Sequence, residues 1–256
     1  MGQPVSQVAV GMNKHRYFAN NEFEVSSLAN IRPVCVQYGC GITAPSEWIN
    51  FDASPRLRLE RNPVTRLIIK IAIGIRFPEN VRFGDVIRGL PISEASAEAV
   101  FCSHVLEHLA ASDVELALRE SFRILKPGGV FRLVVPDLQW RARRYLEELA
   151  GGNHQASDEF MRRCMLGRAT AERGWREVLR RAFGHSEHLW MFDQANLTKR
   201  LADVGFVDVR RCKFGDAHRP LFHSVEDLGR FYDSGEEELA LEGLKPANEC
   251  NLRSGP

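Results

Sequence analysis

The stretch that decides the fold is Val34-Cys35-Val36-Gln37-Tyr38-Gly39-Cys40-Gly41. Its apolar first half is typical of a buried strand in a parallel sheet, and the Gly-x-Gly that follows predicts a tight loop. Glycine has no Cβ, so the backbone can bend sharply here and a ligand can approach the main chain. A second apolar run, Trp48–Phe51, ends at Asp52. It predicts a carboxylate at the tip of the next strand, where such folds bind the ribose of a nucleoside-containing ligand.

Further strand candidates follow along the chain. They are Asn80–Phe83, Ala99–Ser103 and Val130–Val135. Their alternation with helical segments, on a period of about thirty residues, predicts a parallel α/β sheet. The last two candidates, Val207–Phe214 and Glu238–Lys245, are expected to form an antiparallel pair at one edge.

Helix boundaries carry signals of their own. Ser112 and Glu115 have the spacing of a capping box, which predicts that a helix begins there. Lys126-Pro127-Gly128-Gly129 predicts its end, because proline cannot continue a helix and glycine accepts the left-handed turn. Asp193 is expected to cap a later helix, which ends at Gly205.

These patterns divide the chain into an extension, one domain and an insertion. Residues 1–32 are polar and form an N-terminal extension. Residues 33–140 and 192–256 form the Rossmann-like domain. Residues 141–191 are arginine-rich and helical in pattern, and we expect them to be a helical lid inserted in that domain.

The composition of the chain limits the classes of molecule that the protein is expected to bind. The 34 Lys and Arg residues nearly balance the 33 Asp and Glu residues, so no overall field favours nucleic acid or a membrane surface. The most apolar segment, 67–75, is too short to span a bilayer and contains Lys70. The first thirty residues lack the apolar core of a signal peptide. The six cysteines form no CxxC pair, so we expect free buried thiols in a cytoplasmic protein without integral membrane association.

Taken together, the motifs resemble the class I S-adenosylmethionine-dependent methyltransferases of the type 11 group. The matching segments, in the order of the family, are Tyr38–Gly41, Asp52, Gly84-Asp85, Ser103–His108 and Arg123–Gly129. The resemblance implies a doubly wound, Rossmann-like α/β sheet of seven strands with one antiparallel strand near its edge. It also implies an enzyme that uses S-adenosylmethionine as its cofactor.

The resemblance further implies a set of cofactor-binding residues: Tyr38, Gly39, Cys40, Gly41, Asp52, Asp85, Val86, Ser103 and His104. The methionine moiety would lie near Gly39–Gly41, the ribose on Asp52 and the adenine beside Asp85 and Val86. Ser103 and His104 would line the sulfonium side.

The chain departs from the family in two places. Gln37 stands where the family commonly has an acidic residue. The segment between Gly41 and Trp48 is too short for the usual first helix, since a parallel crossover normally needs about a dozen residues. Both departures put cofactor binding in question.

Methyl transfer from a sulfonium is an in-line displacement, so positioning supplies much of the catalysis. A hydroxyl acceptor also requires a base, commonly His or Asp. The candidates for catalytic residues are His104, Asp137, His185 and His188. Asp137 is better explained as a helix N-cap. His185 and His188 are as well explained by packing as by acceptor binding.

The segment His104-x-x-Glu107-His108 matches the inverted zinc-protease pattern HxxEH. It begins directly at a predicted strand tip, however, and a match of five residues is common by chance. We therefore predict no metal site.

Three functions remain open from the sequence. The first is methyl transfer to a small-molecule or glycan-type acceptor, with O-methylation favoured. The second is a non-catalytic binding protein with the S-adenosylmethionine fold. The third, an NAD-dependent oxidoreductase, is disfavoured because Gly39-Cys40-Gly41 lacks the third glycine of GxGxxG. The arginines of the insertion fit an anionic acceptor and a solvated surface equally, and no basic stripe favours nucleic acid.

Overall fold

The computed structural model describes residues 33–65, 76–167 and 187–247. Its strands are β1 (Cys35–Tyr38), β2 (Ile49–Asp52), β3 (Val81–Phe83), β4 (Ala97–Ser103), β5 (Leu125–Val135), β6 (Val207–Cys212), β7 (Tyr232–Asp233), β8 (Glu236–Glu237) and β9 (Leu239–Leu244). Its α-helices are α1 (Pro55–Arg61), α2 (Ala111–Ile124), α3 (Leu138–Ala150), α4 (Ala156–Arg163), α5 (Gln194–Val204) and α6 (Leu228–Phe231). Two 3₁₀ turns lie at Leu106–His108 and Pro220–Ser224.

Seven strands form one sheet in the order β3-β2-β1-β4-β5-β9-β6. The first five pair in parallel, and β9 is antiparallel to both β5 and β6. The predicted fold class is therefore confirmed, including the antiparallel pair near one edge. The chain reverses its direction across the sheet between β1 and β4, and ligands of such folds bind outside the carboxyl ends of the strands at this point.

The core forms where helices cover the central strands. The apolar face of α2 places Val114 and Leu118 against the sheet, and α5 adds Leu197 and Leu201. All four side chains are fully buried. Burial of side chains of this size contributes about 1.5–3 kcal/mol each, so these two helices fix the sheet on which the strand tips are carried.

One helix boundary differs from the prediction. Helix α2 begins at Ala111, with Ala110 as its N-cap and no capping side chain. Ser112 is thus already inside the helix, and Glu115 pairs with Arg119 at 2.6 Å instead of closing a capping box. The capping-box prediction is wrong because the helix begins one residue before Ser112, so the Ser112 side chain is not at the N-cap position.

Two arginines are buried as ion pairs. The guanidinium of Arg141 in α3 donates to both carboxylate oxygens of Glu238 at 2.8 Å. Arg132 in β5 is fully buried and pairs with Glu226 and Glu242. Arg141 is therefore committed to the fold rather than to an anionic acceptor.

Several predictions are settled only in part. Five cysteines are free and buried: Cys35, Cys40, Cys102, Cys164 and Cys212. Within the insertion, the described segments include α3 and α4. These helices pack through Tyr145 and Phe160, whose ring centroids are 5.5 Å apart. The division into extension, domain and lid stays a prediction, and residues 1–32 lie outside the described part. Among the described helices, none is long and apolar enough to cross a membrane.

Candidate active site at the strand tips

The parallel arrangement brings four chain segments together at the carboxyl ends of the strands. Strands β1 to β4 all point their carboxyl ends in the same direction. The glycine turn follows β1, Asp52 ends β2, Asp85 follows β3 and Ser103 ends β4. The sequence predicts this convergence, since each residue directly follows or ends a strand.

The glycine turn needs glycine for two different reasons. Gly39 and Gly41 both have positive φ angles, of +66° and +55°, which side chains rarely adopt. A Cβ on Gly39 would also lie only 2.1 Å from Cγ2 of Val105. Val105, which follows His104, therefore packs directly on the turn and links the tips of β1 and β4.

Asp52 is tied to the turn by its carboxylate. Oδ2 accepts a hydrogen bond from the Gly41 N–H at 3.0 Å, and Oδ1 accepts one from the Ser54 N–H at 2.8 Å. The side chain is held in one orientation at the mouth of the turn. Because a carboxylate has about four acceptor positions, each oxygen keeps a lone pair for a ligand hydroxyl.

The loop between Gly41 and Trp48 contains no helix. Its backbone is held instead by the buried amide side chains of Gln37 and Asn50. Gln37 donates from Nε2 to Asn50 Oδ1 and to the carbonyl of Thr43. Asn50 donates in turn to the carbonyls of Pro45 and Trp48, at 3.0 and 2.9 Å. Gln37 therefore has a structural role at the position where the family commonly has an acidic residue.

The residues after β3 are organised locally. Asp85 accepts from the Ile87 N–H at 3.1 Å and lies 3.3 Å from Nε of Arg88, a pair that is open to solvent. Val86 is buried in the core, so only its backbone can face the strand tips.

Two of the predicted cofactor-binding residues have side chains that are buried in the core, away from the strand tips. The hydroxyl of Tyr38 lies 3.0 Å from Ser121 Oγ beneath α2, and burial raises its pKa well above the usual value. Cys40 packs with Leu57 and Val81. Burial, with the charge of Asp52, raises the pKa of the Cys40 thiol to about 12. Tyr38 and Cys40 can therefore meet a ligand only through their backbones.

Arg230 is the residue that the sequence did not indicate. It lies in α6, yet its Nη1 donates to the Ser103 carbonyl at 3.1 Å. Its Nη2 lies 3.5 Å from the position of a Cβ on Gly41. A guanidinium therefore lies beside the glycine turn. It comes from a residue 127 positions after Ser103 in the sequence, so only the fold brings the two together.

His104 follows β4 in a strained backbone conformation with φ of +53°. Its Nδ1 lies 3.2 Å from Oε1 of Glu107, and its Nε2 donates to the carbonyl of Arg230 at 2.8 Å. Burial alone would lower the pKa of His104, but its hydrogen bond with Glu107, the charge of that carboxylate and the Arg230 carbonyl raise the pKa overall. The ring is thus oriented by a carboxylate on one side.

His188 lies close to the same carboxylate. Ligand atoms of Glu107, His108 and His188 all lie within 4.8 Å of one another. Burial lowers the pKa of His188, although the charge of Glu107 opposes the shift. The structure therefore brings two of the four predicted catalytic residues, His104 and His188, together around Glu107.

The other two candidates fare differently. Asp137 caps α3, accepting from the N–H groups of Gln139 and Trp140, and its second oxygen pairs with Arg211 at 3.0 Å. Its carboxylate is engaged in the fold, in agreement with the N-cap interpretation. His185 lies outside the described residues.

Comparison with known families decides the class. Residues 37–133 match a family described as a methyltransferase domain, of type 11. This segment forms a class I S-adenosylmethionine-dependent methyltransferase domain. The match favours the methyltransferase over the oxidoreductase and over the non-catalytic binding protein, and S-adenosylmethionine is its methyl donor.

Solved methyltransferases have similar structures at low sequence identity. One from Thermotoga maritima is 16% identical, with 88% of this chain and 87% of that chain covered and a TM-score of 0.44. One from Archaeoglobus fulgidus is 14% identical, with coverages of 86% and 90% and a TM-score of 0.43. Phosphoethanolamine N-methyltransferase 2 of Haemonchus contortus, in complex with S-adenosylmethionine, is 11% identical, with coverages of 84% and 49% and a TM-score of 0.41. No curated protein matches the chain by sequence.

The strand tips of this methyltransferase fit its cofactor. At Gly41 only Nη2 of Arg230 lies within 4 Å of the Cβ position, which leaves room beside the turn, and Asp52 keeps acceptor capacity for ribose hydroxyls. The buried hydroxyl of Ser103 has no hydrogen-bond partner among the described residues. Since unpaired buried hydroxyls cost free energy, Ser103 Oγ is suited to contact a bound molecule.

Proposed function

We propose that this methyltransferase methylates a hydroxyl group of a small-molecule or glycan-type acceptor. The observation that carries the proposal is the pairing of His104 with Glu107 beside the glycine turn. A hydroxyl is a poor nucleophile until it loses its proton, and a histidine oriented by a carboxylate is a common base for this step.

The division of labour follows from the two ring nitrogens. Glu107 holds Nδ1 of His104 and fixes the ring, while Nε2 faces the Arg230 carbonyl. For this step the single proton of the neutral ring would lie on Nδ1, facing Glu107, and Nε2 would take the proton of an acceptor hydroxyl that replaces the carbonyl. S-adenosylmethionine supplies the methyl group, so the new O–C bond forms as the S–C bond breaks and S-adenosylhomocysteine leaves.

Arg230 is proposed to bind the carboxylate of the cofactor's methionine. Its guanidinium stands beside Gly41, and no carboxylate among the described residues forms an ion pair with it. Arginine binds carboxylates through charge-assisted hydrogen bonds, often two at once. This contact would place the sulfonium near Ser103 and His104.

The surroundings of His104 support a compact acceptor. The backbone N–H groups of Leu189 and Trp190 both donate to the Glu107 carbonyl, at 2.7 and 3.1 Å, which fixes this segment beside the histidine. The side chains of Leu189 and Trp190 are both exposed. An exposed indole offers an apolar face with one polar edge, which suits a sugar ring or a small aromatic acceptor.

The test is turnover of S-adenosylmethionine with panels of phenolic, sugar and amine acceptors, measured as formation of S-adenosylhomocysteine. We expect activity with a hydroxyl acceptor and a loss of about 10²- to 10⁴-fold in kcat for His104→Gln. His223→Ala, which replaces an exposed histidine, is the matched control. Activity confined to amines, or retained in His104→Gln, would overturn the proposal.

A further inference from the structure

Three chelating side chains meet next to the proposed active site. One ligand atom each from Glu107, His108 and His188 lies within 4.8 Å of the others. The set differs from that of the HxxEH pattern, which would use His104 and His108 as ligands and Glu107 as a base. Here His104 pairs with Glu107 from outside the cluster.

Polar atoms in this cluster are buried without partners. Glu107 is fully buried, and its Oε2 has no hydrogen-bond partner in the described part of the chain. His188 is 7% exposed, and its Nδ1 is likewise unpartnered there. A buried carboxylate oxygen and a buried imidazole nitrogen both cost free energy when unpaired. A cation between them would satisfy both.

Two of the three side chains also contact a residue outside the cluster. Nδ1 of His108 donates to the backbone carbonyl of Glu187 at 3.0 Å, which leaves Nε2 free. Oε1 of Glu107 lies 3.2 Å from His104 Nδ1. Metal-ligating histidines and carboxylates are typically oriented in this manner by an outer layer of hydrogen bonds.

The backbone holds the contributing segments together. The N–H of His188 donates to the Met165 carbonyl at 3.1 Å, at the end of the segment that follows α4. The Glu107 carbonyl accepts from Leu189 and Trp190. The ligands are thus fixed by contacts independent of their side chains.

We propose that Glu107, His108 and His188 bind a divalent transition-metal ion of the zinc class. Two imidazoles and one carboxylate are a common set of three zinc ligands, and the fourth position of such a site is open to water or substrate. Glu107 would join this site to His104, with which it pairs at 3.2 Å. The metal site does not depend on which acceptor is methylated.

The experiment is titration of the metal-stripped full-length protein with Co²⁺, followed by the visible absorption of the bound ion. Metal content after gel filtration of Zn²⁺-loaded protein gives the stoichiometry. The variants are His188→Ala, His108→Ala and Glu107→Gln, with His223→Ala as the matched control. Replacing a fully buried ligand could disturb folding. His108 is only partly buried, so His108→Ala tests metal binding with less risk to the fold. Circular dichroism checks each fold.

We expect one Co²⁺ per chain for the wild type, His223→Ala and His104→Gln. We expect affinity to fall at least about 100-fold in His108→Ala and His188→Ala. Wild-type protein that binds no more Co²⁺ than folded His108→Ala would overturn the proposal. So would loss of binding in His104→Gln with binding retained in His188→Ala. Because no cofactor or acceptor is present, failure here leaves the proposed methyl transfer untouched.

Discussion

The two halves of the strand-tip edge are built in different ways. In the cofactor half, the carboxylate of Asp52 finds its partners nearby in sequence, the N–H groups of Gly41 and Ser54. In the histidine half, Glu107 meets His188 from a distant segment, and both retain unpartnered buried atoms. The difference teaches that the glycine turn and Asp52 are held by their own hydrogen bonds, whereas Glu107 and His188 keep buried polar atoms for a ligand to satisfy.

The largest effect is expected from Gly39→Ala, which changes the glycine turn of the cofactor half. The new Cβ would collide with Val105 at 2.1 Å, and the positive φ of Gly39 adds conformational strain. We expect a loss of about 2–5 kcal/mol in unfolding free energy and loss of S-adenosylmethionine binding. Chemical denaturation and calorimetry measure the two effects.

The matched control for this clash is Gly128→Ala. Gly128 also has a positive φ, of +74°, but nothing lies within 4 Å of its Cβ position. It should therefore lose only the conformational part, about 1–2 kcal/mol. The double variant Gly39→Ala/Val105→Ala should recover part of the loss. Equal losses at the two glycines would show that the contact with Val105 is unimportant.

An intermediate effect is expected from Gln37→Glu, which restores the acidic residue common in the family. The amide that donates to Asn50 and Thr43 would become an acceptor facing two oxygens. We expect about 1–3 kcal/mol of destabilisation, read from the midpoint of chemical denaturation. An unchanged midpoint, or tighter cofactor binding, would mean that the amide pair does not hold the short loop.

The smallest effect is expected from Trp190→Ala in the histidine half. Its side chain is 43% exposed and its backbone contact with Glu107 would remain. We expect KM for the acceptor to rise several-fold, with cofactor affinity and stability unchanged, because the indole contributes only a ligand-facing surface. Steady-state kinetics with any acceptor found in the panel provides the measurement. A change in cofactor affinity would contradict the separation of the two halves.

Sequence reasoning succeeded where the signal is local. The glycine turn, the carboxylate of Asp52 and the N-cap of Asp137 each depend on neighbours a few residues away, and their patterns predict them. Ser112 shows the limit, because its spacing to Glu115 fits a capping box although α2 begins at Ala111.

Residues whose role depends on tertiary contacts could not be predicted. Arg230 reaches the site across more than a hundred residues, with no motif around it. Arg132 and Arg141 are indistinguishable in sequence from surface arginines, yet both are buried as ion pairs. The HxxEH pattern contains Glu107 and His108 of the proposed metal site but not His188, which comes close to them only through the fold.

The most direct test is calorimetric titration of S-adenosylmethionine into wild-type protein, Asp52→Ala and His104→Gln. The two-half account predicts binding by the wild type, a loss of affinity of at least about tenfold in Asp52→Ala, and nearly unchanged affinity in His104→Gln. Retained binding in Asp52→Ala, or affinity lost equally in both variants, would contradict it.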